Sequence, residues 1–272
     1  MSNFASVVIS AYNRLGLLQR SLESLWENTD YPYELIVHDD GSREDTSSYL
    51  CELVQQGKIS TLILNPPDHN RGLGTSVNRA VYISEGEYIV KVNGDDEFEP
   101  GWLFKATQVL RTYPEIGLLH LASYDYSIIH NSRCPDDQWE PGLDHITLCR
   151  MNRCGIPIRI VWAGPGDGLM FTRETWQRVG PWLHGYNPSF GEDVPFRLAC
   201  CPMMRLPNLR EGYYLSSLKS SQLKEHWEEY KGTPWLALIE PAVIDFSMGN
   251  SHTLVREAQK TLKHGPLVLG RV

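Results

Sequence analysis

A chain of 272 residues with 42% apolar and 21% charged residues has the make-up of an ordinary globular protein, which excludes a disordered or collagen-like chain and leaves material for a sizeable core. A formal charge of −8 and an isoelectric point near 5.6 exclude a general electrostatic attraction to nucleic acid or anionic lipid. The opening MSNFASVVISAYNR has no basic leader and no small-residue cleavage site, and no run reaches the roughly 18 to 20 apolar residues of a spanning helix. The expectation is a cytoplasmic protein with no transmembrane segment, any membrane attachment being peripheral.

The first half alternates apolar β-branched runs with helix-period segments. Strands are predicted at SVVIS (6–10), ELIVH (34–38), STLIL (60–64) and EYIVKV (87–92). Helices are predicted over 15–28, 44–56, 72–84 and 102–112, the last ended by Tyr113 and Pro114. That rhythm means βαβ units and a mostly parallel central sheet. Beyond residue 115 the runs shorten (IGLLHLA, YSIIH, IPIRIVW, DGLMF) between loops rich in Pro, Gly and Asp, which reads as a mixed or antiparallel half. A short helix is expected after Glu192 and a last strand within 206–214. From about Ser220 the chain turns polar and reads as a helical C-terminal tail, 216–272, with Ser251 as a helix N-cap. Six cysteines (Cys51, Cys134, Cys149, Cys154, Cys200, Cys201) form no CxxC pair and no zinc spacing, so free thiols are expected.

Ligands of a parallel sheet bind beyond the carboxyl ends of its strands. There the first strand delivers Ser10, Ala11, Tyr12, Asn13 and Arg14, the second His38, Asp39, Asp40, Gly41 and Ser42, and the fourth Asn93, Gly94, Asp95, Asp96 and Glu97. A nucleoside diphosphate uses each of these chemistries: a carboxylate at Asp40 accepts a base imide N–H, Tyr12 packs on base or ribose, and Gly41 permits a sharp turn. A helix N-cap with Asp-Gly turn chemistry is the competing reading of Asp39 to Ser42. The acidic group at Asn93 to Asp96 is costly unless a cation neutralises it. Mg²⁺ or Mn²⁺, shared with diphosphate oxygens, is the natural candidate, and a solvated acidic turn is the alternative.

Four segments in order resemble the GT-A fold glycosyltransferases, especially the inverting family 2 enzymes that use UDP- or dTDP-sugars: SVVISAYNR, ELIVHDDGSREDT, NRGLGTSVNRAVYISEGEYIVKVNGDDEFEPGWL and GEDVPFRL. The resemblance implies a GT-A catalytic domain over 1–215, divided into a donor-nucleotide half (1–100) and an acceptor half (115–215). It implies nucleoside contacts from Ser10, Ala11, Tyr12, Arg14, Asp39, Asp40, Asn93 and Gly94, with Asn70 and Arg71 on the diphosphate side. Asp95 stands where the second acid of the DxD motif holds the metal, Asp96 being a helper or a cap for the next helix. Asn93 departs from the pattern by replacing the first acid. Asp193, beside Glu192, aligns with the general base, although a charged helix N-terminus reads equally from the residues. A metal-completing histidine is absent from 213–215, and His226 and His252 are the substitutes. Gly166, Asp167, Gly168 and Trp162 fall in the stretch beside donor sugar and acceptor, where Asp167 also reads as part of a plain turn. Trp182 and Tyr186 are stacking candidates whose other reading is core.

The implied activity is metal-dependent transfer of a sugar from a nucleoside-diphosphate sugar to an acceptor hydroxyl with inversion. A glycan, lipid-linked glycan, small molecule, protein or modified nucleic acid all remain as acceptors. A sugar nucleotidyltransferase is disfavoured because SAYNRLG is not a glycine-rich phosphate loop. A non-catalytic sugar-nucleotide sensor is the remaining alternative, suggested by Asn93.

Overall fold

The computed structural model of the chain describes residues 4–121, 147–151, 153–156, 158–161, 168–182, 200, 235–239, 243–245 and 267–270, with side chains over 4–121, 153–156, 158, 168–182 and 200. Through residue 112 the elements follow the apolar rhythm. They are β1 (Ala5–Ala11), α1 (Leu15–Asn28), β2 (Tyr33–Asp39), α2 (Glu44–Gln55), β3 (Thr61–Leu64), α3 (Leu73–Ile83), β4 (Tyr88–Asn93), the short β5 (Asp96–Phe98) and α4 (Trp102–Thr112). Then come β6 (Ile116–Leu121), β7 (Thr147–Met151), β8 (Ile158–Val161), β9 (Leu169–Thr172), α5 (Arg173–Val179), β10 (Trp235–Ile239), β11 (Val243–Asp245) and β12 (Leu267–Gly270).

The helices form because each carries one apolar face. In α1 the buried residues Leu18, Ser21, Leu22 and Leu25 recur at helical spacing. Its last turn ends where Asn28 Nδ2 and Thr29 Oγ1 donate to the carbonyls of Ser24 (3.0 Å) and Leu25 (2.5 Å), side-chain bonds at the carbonyl end of the helix. The strands bury both faces, as parallel strands between helices must. Val7, Ile9, Leu35 and Val37 pack with Leu18, Leu22, Leu50, Leu53 and Leu103 from α1, α2 and α4. On the opposite face Val8, Ile36, Ile63 and Ile89 pack with Val77, Ala80 and Val81 of α3. The result is a sheet between two helical layers.

The main sheet runs β12-β3-β2-β1-β4-β9-β6-β10-β8-β7. β3, β2, β1 and β4 are mutually parallel. β9 is antiparallel to both β4 and β6, and β8 and β7 run antiparallel to their neighbours. The parallel half and the mixed half therefore stand as expected.

The tail is the main departure. Among its described residues are strands, not helix: β10 pairs β6, β12 pairs β3, and β11 pairs β5. WLALI and LVLG are short continuous apolar runs whose chemistry suits a sheet, and the polar residues around them masked that signal. The helix expected after Ser251, the helix after Glu192 and the strands expected at 126–130 and 206–214 lie outside the described residues. No helix among the described residues is long and apolar enough to cross a membrane. Cys51, Cys154 and Cys200 are free thiols, and burial pushes the Cys200 thiol up to about 12.

Candidate active site

Strand register brings the polar groups together. In β1, Ser10 stands opposite His38 of β2 on one side and Asn93 of β4 on the other, and Ala11 stands opposite Asp39. The carbonyl of Ala11 accepts the Asp40 N–H at 2.9 Å, closing the first two strand ends into one corner. Ser10, Tyr12, Asn13, Arg14, Asn93 and Gly94 are partly exposed there.

The two aspartates of DDGS are divided by strand parity. Asp39 is fully buried and committed to its own loop: it accepts from the Ser42 N–H (2.9 Å) and from Ser47 Oγ (2.6 Å) of α2. It fixes the turn. The residue before α2 is Arg43 and supplies no side-chain cap, whereas the turn half of the competing reading is present, with Gly41 at positive φ. Asp40, 2% exposed, accepts from Asn65 Nδ2 (2.5 Å) and the backbone N–H groups of Arg71 (2.9 Å) and Gly72 (2.8 Å). Burial pushes its carboxyl up to about 7 against those hydrogen bonds. Asp40 is thus the clasp that holds the segment 65–72 across the corner. Gly41 takes φ +87° beneath that segment, where a Cβ would lie 2.8 Å from both His69 N and Pro66 O. Asn70 is buried and spends its side-chain oxygen on the Gly72 N–H (2.9 Å), whereas Arg71 is partly exposed.

Two residues that the strand-end reading did not name, Asn65 and Arg79, complete this corner together with His38, which it did name. Asn65 directly follows β3, so the same rule applied to that strand would have found it. Arg79 Nη1 donates to Asn65 Oδ1 at 3.0 Å. His38 is fully buried with neither ring nitrogen hydrogen-bonded, and burial and then the Arg79 charge lower it to about 3, so it is a neutral imidazole.

At the end of β4, Asp95 pairs with Arg14 (Nη1 to Oδ2, 2.7 Å), the side chains being 11% and 29% exposed. Asp96 is fully buried and accepts the Asn93 N–H at 2.7 Å, while the Lys91 ammonium donates to Asn93 Oδ1. Asp96 is not a cap for α4, which follows Gly101 in left-handed conformation; it opens β5 and braces the turn from a buried position. Arg14 and its neighbour Asn13 both have positive φ, 55° and 57°, a backbone that costs roughly 1–2 kcal/mol per residue. The Asn13 N–H donates to Ser42 Oγ (2.7 Å) and its side-chain oxygen accepts the Arg43 N–H (3.0 Å), which hold the strained corner to the DDGS loop.

A Mg²⁺ or Mn²⁺ ion keeps several waters and takes one or two carboxylates together with substrate phosphates. Asp95 would supply that single protein carboxylate, and in that sense the residues fit a cation shared with a diphosphate. They do not form an all-protein cage, because no group of three or more His, Cys, Asp or Glu is gathered among the described residues. On the acceptor side, Gly168 has φ +50° and a Cβ there would lie 2.7 Å from Leu121 Cβ. Its close approach is to β6, a packing requirement. Trp182 is buried core, its backbone N–H donating to the side-chain Oδ1 of Asn78 at 2.8 Å. Trp162, Gly166, Asp167, Tyr186, Glu192, Asp193, His226 and His252 lie outside the described residues.

Comparison with known proteins agrees with this architecture. The family model described as glycosyl transferase family 2 matches residues 6–157. An uncharacterized glycosyltransferase of Haemophilus influenzae is 25% identical over 231 residues, covering 81% of this chain and 68% of the relative. A dolichyl-phosphate beta-glucosyltransferase of Dictyostelium discoideum is 31% identical over 210 residues, 70% of this chain and 61% of that protein. Among solved structures, a mannosyltransferase of Pyrobaculum calidifontis in complex with GDP-Man and Mn²⁺ has a TM-score of 0.50 at 20% identity, covering 66% of this chain and 47% of its own. Staphylococcus aureus TarS in complex with UDP-GlcNAc has a TM-score of 0.51 at 17% identity, covering 84% and 65%. The chain spans about half to two thirds of the length of these proteins, and the structural likeness establishes the GT-A fold. With the family model matching more than half its length, the chain belongs to glycosyl transferase family 2.

Proposed function

We propose that this chain transfers a sugar from a nucleoside-diphosphate sugar, a UDP-sugar in particular, to an acceptor hydroxyl with inversion, with Mn²⁺ or Mg²⁺ as cofactor. The observation that carries the proposal is the register Ser10–His38 and Ser10–Asn93, which lines up three polar strand ends at one edge. The neighbours solved with GDP-Man and Mn²⁺ and with UDP-GlcNAc support a nucleotide-sugar donor.

In this reading the corner of Ser10, Tyr12 and the loop clasped by Asp40 receives the nucleoside, and Arg71 faces the diphosphate. Asp95 would hold the divalent cation, which when bound supplies charge neutralisation to the departing diphosphate. Asp193 takes the proton of the acceptor hydroxyl as it attacks the anomeric carbon from the face opposite the leaving group, which gives inversion. Incubation with UDP-, GDP- and dTDP-sugars plus Mn²⁺, following nucleoside diphosphate release, tests the activity. Asp193→Asn is expected to abolish transfer with donor affinity nearly intact, and an unchanged transfer rate would refute the assignment. Asn93 favours one second reading, a nucleotide-sugar sensor, for which donor would bind with no release or transfer.

A further inference from the structure

The acidic turn after β4 already has cations within the protein. Arg14 and Lys91 face this turn together with Asp95 and Asp96, and the Arg14 guanidinium lies 2.7 Å from the carboxylate oxygen of Asp95, the residue best placed to take a metal. These four formal charges sum to zero. A divalent ion entering alone would bring two positive charges to a balanced site and would have to displace a charge-assisted hydrogen bond. A diphosphate entering with the ion reverses that arithmetic. Its negative charge offsets the metal, and its oxygens offer the released guanidinium a planar two-point partner.

Arg14 also stands on a backbone that suits a switch. Asn13 and Arg14 are both left-handed, a state that persists only where the surroundings impose it. The DDGS loop holds Asn13 through Ser42 and Arg43, while the Arg14 side chain spans the corner from the end of β1 to the end of β4. The two adjacent residues Asn13 and Arg14 therefore link all three strand ends that the donor needs.

From this geometry we infer that Arg14 is the resident counter-ion of Asp95 and exchanges with the divalent cation when the diphosphate arrives, so that metal and donor bind as a coupled pair. The inference rests on the metal-dependent reading above and assigns Arg14 a positioning role. It requires that the wild-type protein bind metal weakly alone and more tightly with the nucleotide.

The test is the binding of Mn²⁺, followed by the electron paramagnetic resonance signal of the free ion, with and without UDP. It uses the full chain and its Arg14→Gln, Arg14→Lys and Asp95→Asn variants, each checked for wild-type circular dichroism. Arg14→Gln is expected to bind Mn²⁺ alone about five- to tenfold more tightly than the wild type, the scale of one partly exposed charged hydrogen bond. The enhancement by UDP should shrink accordingly. Arg14→Lys, which keeps a positive charge, should stay near wild type, and Asp95→Asn should lose the site. If UDP tightens Mn²⁺ binding in the wild type but Arg14→Gln binds the ion alone no better than wild type, the exchange is overturned and the metal reading stands. If no variant and no wild type takes up Mn²⁺ even with UDP, the metal reading itself fails.

Discussion

The substitution His38→Leu isolates one buried titration. In the unfolded chain this histidine gains a proton below its ordinary value of 6.5, but in the fold it stays neutral to about 3 because it is buried and near Arg79. Its contribution is fully present above pH 6.5 and is lost as pH falls towards 3, at ~1.4 kcal/mol per pH unit. At pH 5 the wild type has thus lost about 2 kcal/mol through this group, a loss that the variant, having no imidazole to protonate, cannot suffer. Asp40 acts in the opposite sense: raised from 3.8 to about 7, it favours the fold below 3.8 and loses that advantage as pH rises towards 7. Because Asp40 is present in both proteins, its effect cancels in their difference. Urea unfolding at pH 7.5, 6.0 and 5.0 should show the variant gaining about 2 kcal/mol on the wild type between the first and last conditions. A difference that stays constant with pH would refute a buried neutral imidazole.

Gly41→Ala places a Cβ 2.8 Å from two backbone atoms of the segment above it, at a φ of +87°. It should cost roughly 1–3 kcal/mol in urea unfolding and weaken UDP binding by calorimetry; unchanged values for both would show that the segment 65–72 is not held down at this turn. Trp102 is fully buried, lies 4.8 Å from the Phe98 ring and donates its indole N–H to Thr29 Oγ1 at 2.9 Å. Trp102→Ala should lower stability by about 3–5 kcal/mol in the same assay, with a far smaller loss for Trp102→Phe.

The donor half was legible because its signals are strong and local. Apolar runs of four to seven residues fixed the bounds of β1 to β4 within about one residue, and helical spacing did the same for α1 and α4. The departures have physical causes. β5 is three residues, Asp96–Phe98, too short to carry a period. α5, RETWQRV, is two turns long, and its signature lies in Thr172, whose side chain accepts the Thr175 N–H as an N-cap. Within the site, adjacent aspartates look equivalent in the sequence, yet pleating sends Asp39 into its own loop and Asp40 under the segment 65–72. The pairing of Arg14 with Asp95 joins positions 81 residues apart, and no local pattern announces it.

The place of β9 in the sheet bears on how the chain comes off the ribosome. β1 to β4 pair among themselves using residues 5–93, so the nucleotide half can assemble early in synthesis. The outer edge of β4 has to wait for residues 169–172. For some eighty residues of elongation, an interval read from those pairings, the nascent protein carries an open strand edge of the kind that recruits other chains. Lys91 lies on that strand, and its charge is the sort of residue that keeps such an edge from pairing with the wrong neighbour until β9 arrives.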